Sequence, residues 1–172
     1  LNADDIVTIT YHAPSLIARL VGRPAQGGMQ VAYARLCLPY LAAHTLVHGT
    51  VGLDAFSAAA LADRAVLALA DRITVSVDDN PDPSAFVPAR LQATLRDGTC
   101  LEIAVPTVLG SPAQPLDAPA RLAKLRACLR FGGVPVSAED LTARIDALGQ
   151  TPDAGALFRL AGAAQNAELE PA

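Results

Sequence analysis

The sequence predicts an α+β fold: a two-layer sandwich in which an antiparallel or mixed four-stranded sheet carries helices on one face, with further helices at the C-terminal end. Three observations predict it. Two runs from Ala89 to Val105 alternate apolar and polar residues around an Asp97-Gly98 turn, the pattern of a half-buried hairpin. Asp5 to Tyr11 and Ile73 to Val77 alternate β-branched residues with threonine or serine, as pleated strands do. Helical segments fall between and after these strands without a regular strand-helix repeat, which argues against a parallel α/β architecture.

The elements follow in order. The Asp5–Tyr11 strand ends at His12-Ala13-Pro14, and a short apolar segment, Ser15 to Val21, leads into Gly22-Arg23-Pro24 and the Gly27-Gly28 loop. Met29 to His48 reads as the longest helix, with Ala32, Leu36, Ala43, Leu46 and Val47 near one face. Pro39 removes an amide from its interior and predicts a kink or break there. Gly49 stops it. Gly52 to Asp54 is a turn, and Ser57–Leu61 and Arg64–Ala70 are short helices, the second N-capped by Asp63. Asp78 to Pro83 is an exposed loop.

The register of the hairpin follows from its faces. A two-residue Asp97-Gly98 loop would pair Thr94 with Leu101 and set the two apolar stripes on opposite faces. A three-residue loop, Arg96-Asp97-Gly98, pairs Leu95 with Thr99, Ala93 with Leu101 and Leu91 with Ile103, so both stripes share a face. It requires a type I turn with a left-handed Gly98 as a G1 bulge. Pro106 to Pro115 is a loop. Ala118–Phe131 is a helix ended by Gly132-Gly133, Ser137 caps another that runs to about Leu148, and Asp153 to about Ala164 forms the last.

Composition excludes several classes. The chain has 172 residues, 52% hydrophobic and 17% charged, with a formal net charge of -4. It is too apolar for a disordered chain and lacks the basic stripe of a nucleic-acid binder. Leu36 to Val47 is its most apolar stretch and falls short of the about 20 residues of a membrane span. Three cysteines make no disulfide scaffold, so free thiols and a cytoplasmic location are expected. The apolar excess points to a large partner surface.

Constellations that carry chemistry are sparse. Cys37, His44 and His48 have metal-ligand spacing on one helix, but with no fourth ligand, packed or solvated histidines are favoured and no metal is expected. A Cys37 nucleophile with His44 is disfavoured against a buried thiol. Gly27-Gly28 reads as a plain helix start rather than an anion cradle. Gly110-Ser111-Pro112 is not a nucleophile elbow. Asp78, Asp79 and Asp82 lack calcium-loop spacing. Arg35, in an otherwise apolar helix, is the cation placed to bind a carboxylate, against the default of a surface arginine lying along apolar surface.

Ala34-Arg35-Leu36-Cys37-Leu38-Pro39-Tyr40-Leu41-Ala42-Ala43, then Leu46-Val47-His48-Gly49, resembles the Ala-x-Phe-Ser-Leu-Pro-Tyr…Leu-x-Asp-Gly stretch of the MmgE/PrpD family. That family includes 2-methylcitrate dehydratase, cis-aconitate decarboxylase and iminodisuccinate epimerase. Further stretches fall in the family's order. Asp4-Asp5-Ile6 through His12-Ala13-Pro14 is similar to its first lid strand, and Leu67 to Val77 to its short helix and strand. Pro88-Ala89-Arg90 through Leu95-Arg96-Asp97-Gly98 is similar to its hairpin. Gly110-Ser111-Pro112, Pro115-Leu116 and Leu122-Ala123-Lys124-Leu125 are similar to its Gly-Ser-Pro…Pro-Leu…Lys-Phe run.

The resemblance implies the C-terminal lid of a lyase or isomerase acting on small di- or tricarboxylates, a hydro-lyase foremost. The α+β lid would span residues 1–133 and a C-terminal helical segment 134–172. In the family, the site lies between the lid and a large N-terminal helical domain, whose His, Asp and Lys residues carry the catalysis. No catalytic residue therefore maps onto this chain, which is expected to be inactive alone. No metal or organic cofactor is implied, and a homodimer is expected. Arg35, Cys37 and Tyr40 are the positions expected to approach substrate. Cys37 stands for the usual serine, Leu36 for phenylalanine and His48 for the common acidic residue. The abrupt start at Leu1, without methionine, fits a segment of a longer chain. The apolar excess then belongs to a sheet face, the Leu36–Val47 helix and the C-terminal helices, all shaped to meet the helical domain. The alternative is a stand-alone α+β binding or dimerisation module without catalysis.

Overall fold

The computed structural model describes residues 2–159 and forms two compact units, one up to Pro115 and one from Leu116 onward. The expected boundary between residues 133 and 134 falls inside the second unit. The first unit is an α+β sandwich. Its sheet contains β1 (Ile6–Ala13), β2 (Ile73–Val77), β3 (Ala89–Leu95) and β4 (Cys100–Val105) in the order β2-β1-β3-β4. β1 pairs parallel with β2, through Ile9 opposite Ile73 and Ala13 opposite Val77. It pairs antiparallel with β3, and β3 with β4, so the sheet is mixed.

Parallel neighbours require a crossover connection, and residues 14–72 supply it. It contains α1 (Ser15–Val21), α2 (Val31–Ala34), α3 (Leu38–His48), α4 (Ala58–Leu61) and α5 (Arg64–Ala70). α1 and α3 pack against the β1–β2 side of the sheet, and α5 packs on α3. Strand alternation decides which side chains they meet. Ile9, Ala13, Ile73, Ala89 and Ala93 are buried on the covered face. Ile6 joins them because a register shift between Ile6 and Thr8 restores its inward direction.

The helix expected from Met29 to His48 is two helices. Arg35 and Leu36 form a turn, Cys37 is extended (φ -113, ψ 92), and the second helix starts at Leu38. The break precedes Pro39 rather than falling on it. A proline in the first turn lacks only an amide that would have no intrahelical partner there. The other termini follow local chemistry. Gly49 caps α3 in the left-handed region (φ 81), Ser57 accepts from Ala60 N, and Asp63 accepts from Ala65 N and Val66 N.

The hairpin has the expected three-residue loop. Leu91 faces Ile103, Ala93 faces Leu101, Leu95 N donates to Thr99 O at 2.8 Å, and Gly98 has φ 84. Both apolar stripes share a face, but helices cover only part of it. β4 lies at the sheet edge, and Ile103 is 57% exposed. The second face is polar, which corrects the expectation of an apolar open face. Ser76 Oγ lies 2.8 Å from His12 Nδ1, and His12 Nε2 lies 3.0 Å from Gln92 Oε1. Gln92 Nε2 donates to Glu102 Oε2 at 3.0 Å. Threonine, serine and glutamine alternate with the core residues along every strand but the last, so this face is satisfied in water.

In the second unit, α6 (Ala118–Phe131) packs on α7 (Ala138–Asp146), and Arg126 pairs with Glu139. That guanidinium holds the Glu139 carboxyl below its ordinary range. Asp117 and Ser137 cap the two helices, and Gly133 (φ 64) makes the turn between them. Leu148–Gln150 is one 3-10 turn, and residues 155–159 are helical. The remainder of the helix expected to about Ala164 lies outside the described residues.

Gly98→Ala should destabilise the first unit by about 1 kcal/mol, because an L side chain is strained at positive φ. Gly27→Ala, where a Cβ meets open space and φ is not positive, should leave it within about 0.5 kcal/mol. Chemical denaturation of both variants checks this, and equal effects would contradict a left-handed bulge.

Candidate functional site

The break between α2 and α3 positions the residues expected at the site. Arg35 closes α2 and is exposed, its guanidinium 5.4 Å from the centre of the Phe56 ring. Stacking on an aromatic face fixes the arginine's stem while leaving its donor edges free. Cys37 and Tyr40 point the other way, into the core, and both are fully buried. The Cys37 thiol donates to Arg23 O at 3.3 Å, and the Tyr40 hydroxyl donates to Ala55 O at 2.5 Å. Burial raises the pKa of both groups. A thiol held protonated in this way is a poor nucleophile. Of the three positions, Arg35 is therefore the one with a polar group facing solvent.

The same junction is tied to two loops. Tyr33 Oη donates to Pro24 O at 2.8 Å, beneath the Arg23 guanidinium 4.9 Å from the ring centre. His44, also buried, has Nδ1 3.0 Å from Thr50 O. Its ring centre is 4.6 Å from that of His48, and His48 Nε2 lies 3.1 Å from Asp63 Oδ2. These residues, with Asp54 and Ala55, line a surface pocket of about 430 Å³. Burial alone would raise the Asp63 carboxyl. The Val66 amide, the His48 ring and the Ala65 amide outweigh it and hold its pKa below the ordinary aspartate value.

Cys37 is not part of this cluster, because its sulfur serves the Arg23 carbonyl. Among the described residues, no group of three or more His, Cys, Asp or Glu side chains is arranged to hold a metal ion. Nor is any helix among them long and apolar enough to cross a membrane. Ser111 Oγ is buried without a hydrogen-bond partner, in a turn where Ser111 pairs with Gln114. With no hydrogen-bonded base, it has no means of activation. The Asp63–His48 pair was not singled out from sequence. Its only signal there is the helix cap at Asp63, fifteen residues beyond the histidine.

Two variants test this geometry. Tyr40→Phe leaves the Ala55 carbonyl buried without its donor and should cost about 1–2 kcal/mol in denaturation; no loss would mean that the bond contributes nothing. Asp63 contributes stability above the ordinary aspartate range, and this is lost as pH falls through its depressed folded value. Asp63→Asn cannot titrate, so its stability should fall less steeply over that acidic window. Identical acid profiles would contradict the depressed pKa.

The comparisons with known proteins bear on the whole of this arrangement. Residues 1–148 match the MmgE/PrpD C-terminal domain. No curated protein matches the chain. The match takes in the complete sheet, its crossover helices, the α2–α3 junction, and α6 and α7 of the second unit. The chain belongs to the MmgE/PrpD family and carries that family's C-terminal domain.

Proposed function

We propose that this chain is the lid part of a lyase or isomerase acting on small di- or tricarboxylates, with dehydration of a 2-methylcitrate-like substrate foremost. The observation that carries this reading is the match to the family's C-terminal domain over residues 1–148. The chemistry is abstraction of a proton beside a carboxylate or carbonyl, followed by loss of water or carbon dioxide, or by reprotonation. It needs a general base of tuned pKa and fixed cations over the carboxylates. The base belongs to an N-terminal helical domain, and the lid supplies closure and exclusion of water.

Arg35 is the residue of this chain that we assign to the substrate carboxylate. It stands on a helix break that buried side chains brace, and its guanidinium stacks on Phe56 with its edges open. A planar fork held this way suits a bidentate carboxylate. Cys37 and Tyr40 serve the same site by positioning: they fix the turn that presents Arg35 and touch no substrate themselves.

The test is turnover of 2-methylcitrate and cis-aconitate, followed by product analysis, with and without the helical domain. The chain alone should be inactive and the two-domain protein active, since both halves are needed to assemble the site. Turnover by the 172-residue chain alone would overturn the division of labour. In the two-domain protein, Arg35→Ala should raise KM about tenfold or more, as loss of a charged hydrogen bond does. An unchanged KM would remove Arg35 from the site.

A further inference from the structure

The pocket beside α3 contains two histidines for which the lyase reading has no use. They are four residues apart on one helix, so both rings lie on one face. Each has one nitrogen committed to an oxygen that can only accept. Thr50 O accepts from His44 Nδ1, and the Asp63 carboxylate accepts from His48 Nε2. In the neutral rings the protons therefore sit on those nitrogens, leaving lone pairs on His44 Nε2 and His48 Nδ1. Neither of these has a hydrogen-bond partner among the described residues.

Metal-binding histidines show this arrangement. A carbonyl or carboxylate behind one ring nitrogen fixes the tautomer, orients the ring and raises the basicity of the other nitrogen. The spacing fits as well. Metal–nitrogen bonds of about 2.0–2.1 Å place each ring centre about 3.1–3.2 Å from an ion, so two rings on one ion have centres about 4.4–5.2 Å apart at square or tetrahedral angles. The His44 and His48 centres are 4.6 Å apart. The pocket they line, about 430 Å³ with Asp54 also in its wall, leaves room for water to complete the coordination.

We propose that His44 and His48 chelate one divalent first-row transition ion, with Thr50 O and Asp63 as the oxygens that orient them. This is a two-nitrogen site without Cys37, distinct from a three-ligand cage. Imidazole selects copper, nickel and zinc over magnesium and calcium, and copper binds more tightly than nickel.

The experiment is titration of the purified chain with copper(II) and nickel(II) chlorides by calorimetry, with electron paramagnetic resonance of the copper complex. One equivalent should bind, copper more tightly than nickel, and the copper spectrum should show two imidazole nitrogens. His48→Gln, at a half-exposed position, should weaken binding about tenfold or more and leave one nitrogen. His12→Gln, which alters the chain's third histidine, should change nothing. Absence of saturable binding, fewer than two nitrogens in the wild-type spectrum, or equal affinity in His48→Gln would overturn the site. Because these readouts need neither substrate nor the helical domain, their failure is separable from failure of the lyase reading.

Discussion

The parallel pairing of β1 with β2 is the constraint on which the rest of the first unit depends. Two adjacent strands that run the same way cannot be joined by a tight turn, so the chain must travel back along one face of the sheet. Residues 14–72 make that journey, and Arg35, Cys37, Tyr40, His44 and His48 lie on it. Burial of Tyr40, Ala43, Val66 and Leu69 against Ile9 and Ile73 seats the helical layer over β1 and β2. The same geometry leaves β4 beyond the reach of the crossover helices. Leu101 and Ile103 keep the register of core residues without the cover of a core.

The crossover contains long stretches without regular structure, and their backbone carbonyls need donors once they approach the core. Four side chains around α2 and α3 supply them. Tyr33 donates to Pro24, Cys37 to Arg23, Tyr40 to Ala55 and His44 to Thr50. Polar groups that resemble a reactive cluster in sequence thus serve mainly to fasten loops. Such fastening is what a binding surface requires, because a charge held on a rigid turn loses less freedom on meeting its ligand than one on a loose loop. In the proposed lyase reading, Arg35 is the charge so presented.

The strands, the hairpin register and most helix caps were legible because each rests on local rules. Alternation fixed the faces of β1 to β3, and Gly98 and Asp63 stood where turn and cap chemistry demand them. The break at Arg35–Cys37 was misplaced to Pro39, because proline in a first turn is indistinguishable in sequence from proline that breaks a helix. A buried Cys37 thiol is the reading its residue type favours, but the anchoring of Cys37 and Tyr40 was not legible. It depends on carbonyls at Arg23 and Ala55 that sequence spacing does not bring near. The polar character of the open sheet face was written in Thr10, Thr74, Gln92 and their neighbours, although the apolar composition of the chain as a whole suggested otherwise.

The polar row on that open face has a direction. The Glu102 carboxylate can only accept, so the Gln92 amide must turn its nitrogen toward it and its oxygen toward His12. His12 then carries its proton on Nε2, and the neutral ring offers Nδ1 to the Ser76 hydroxyl, which must donate. A single carboxylate on the outermost strand thereby dictates the tautomer of a histidine two strands away and the rotor of a serine three strands away. The dipoles of three side chains are aligned across the full width of the sheet. This face is therefore electrically polarised from edge to edge although it carries almost no net charge.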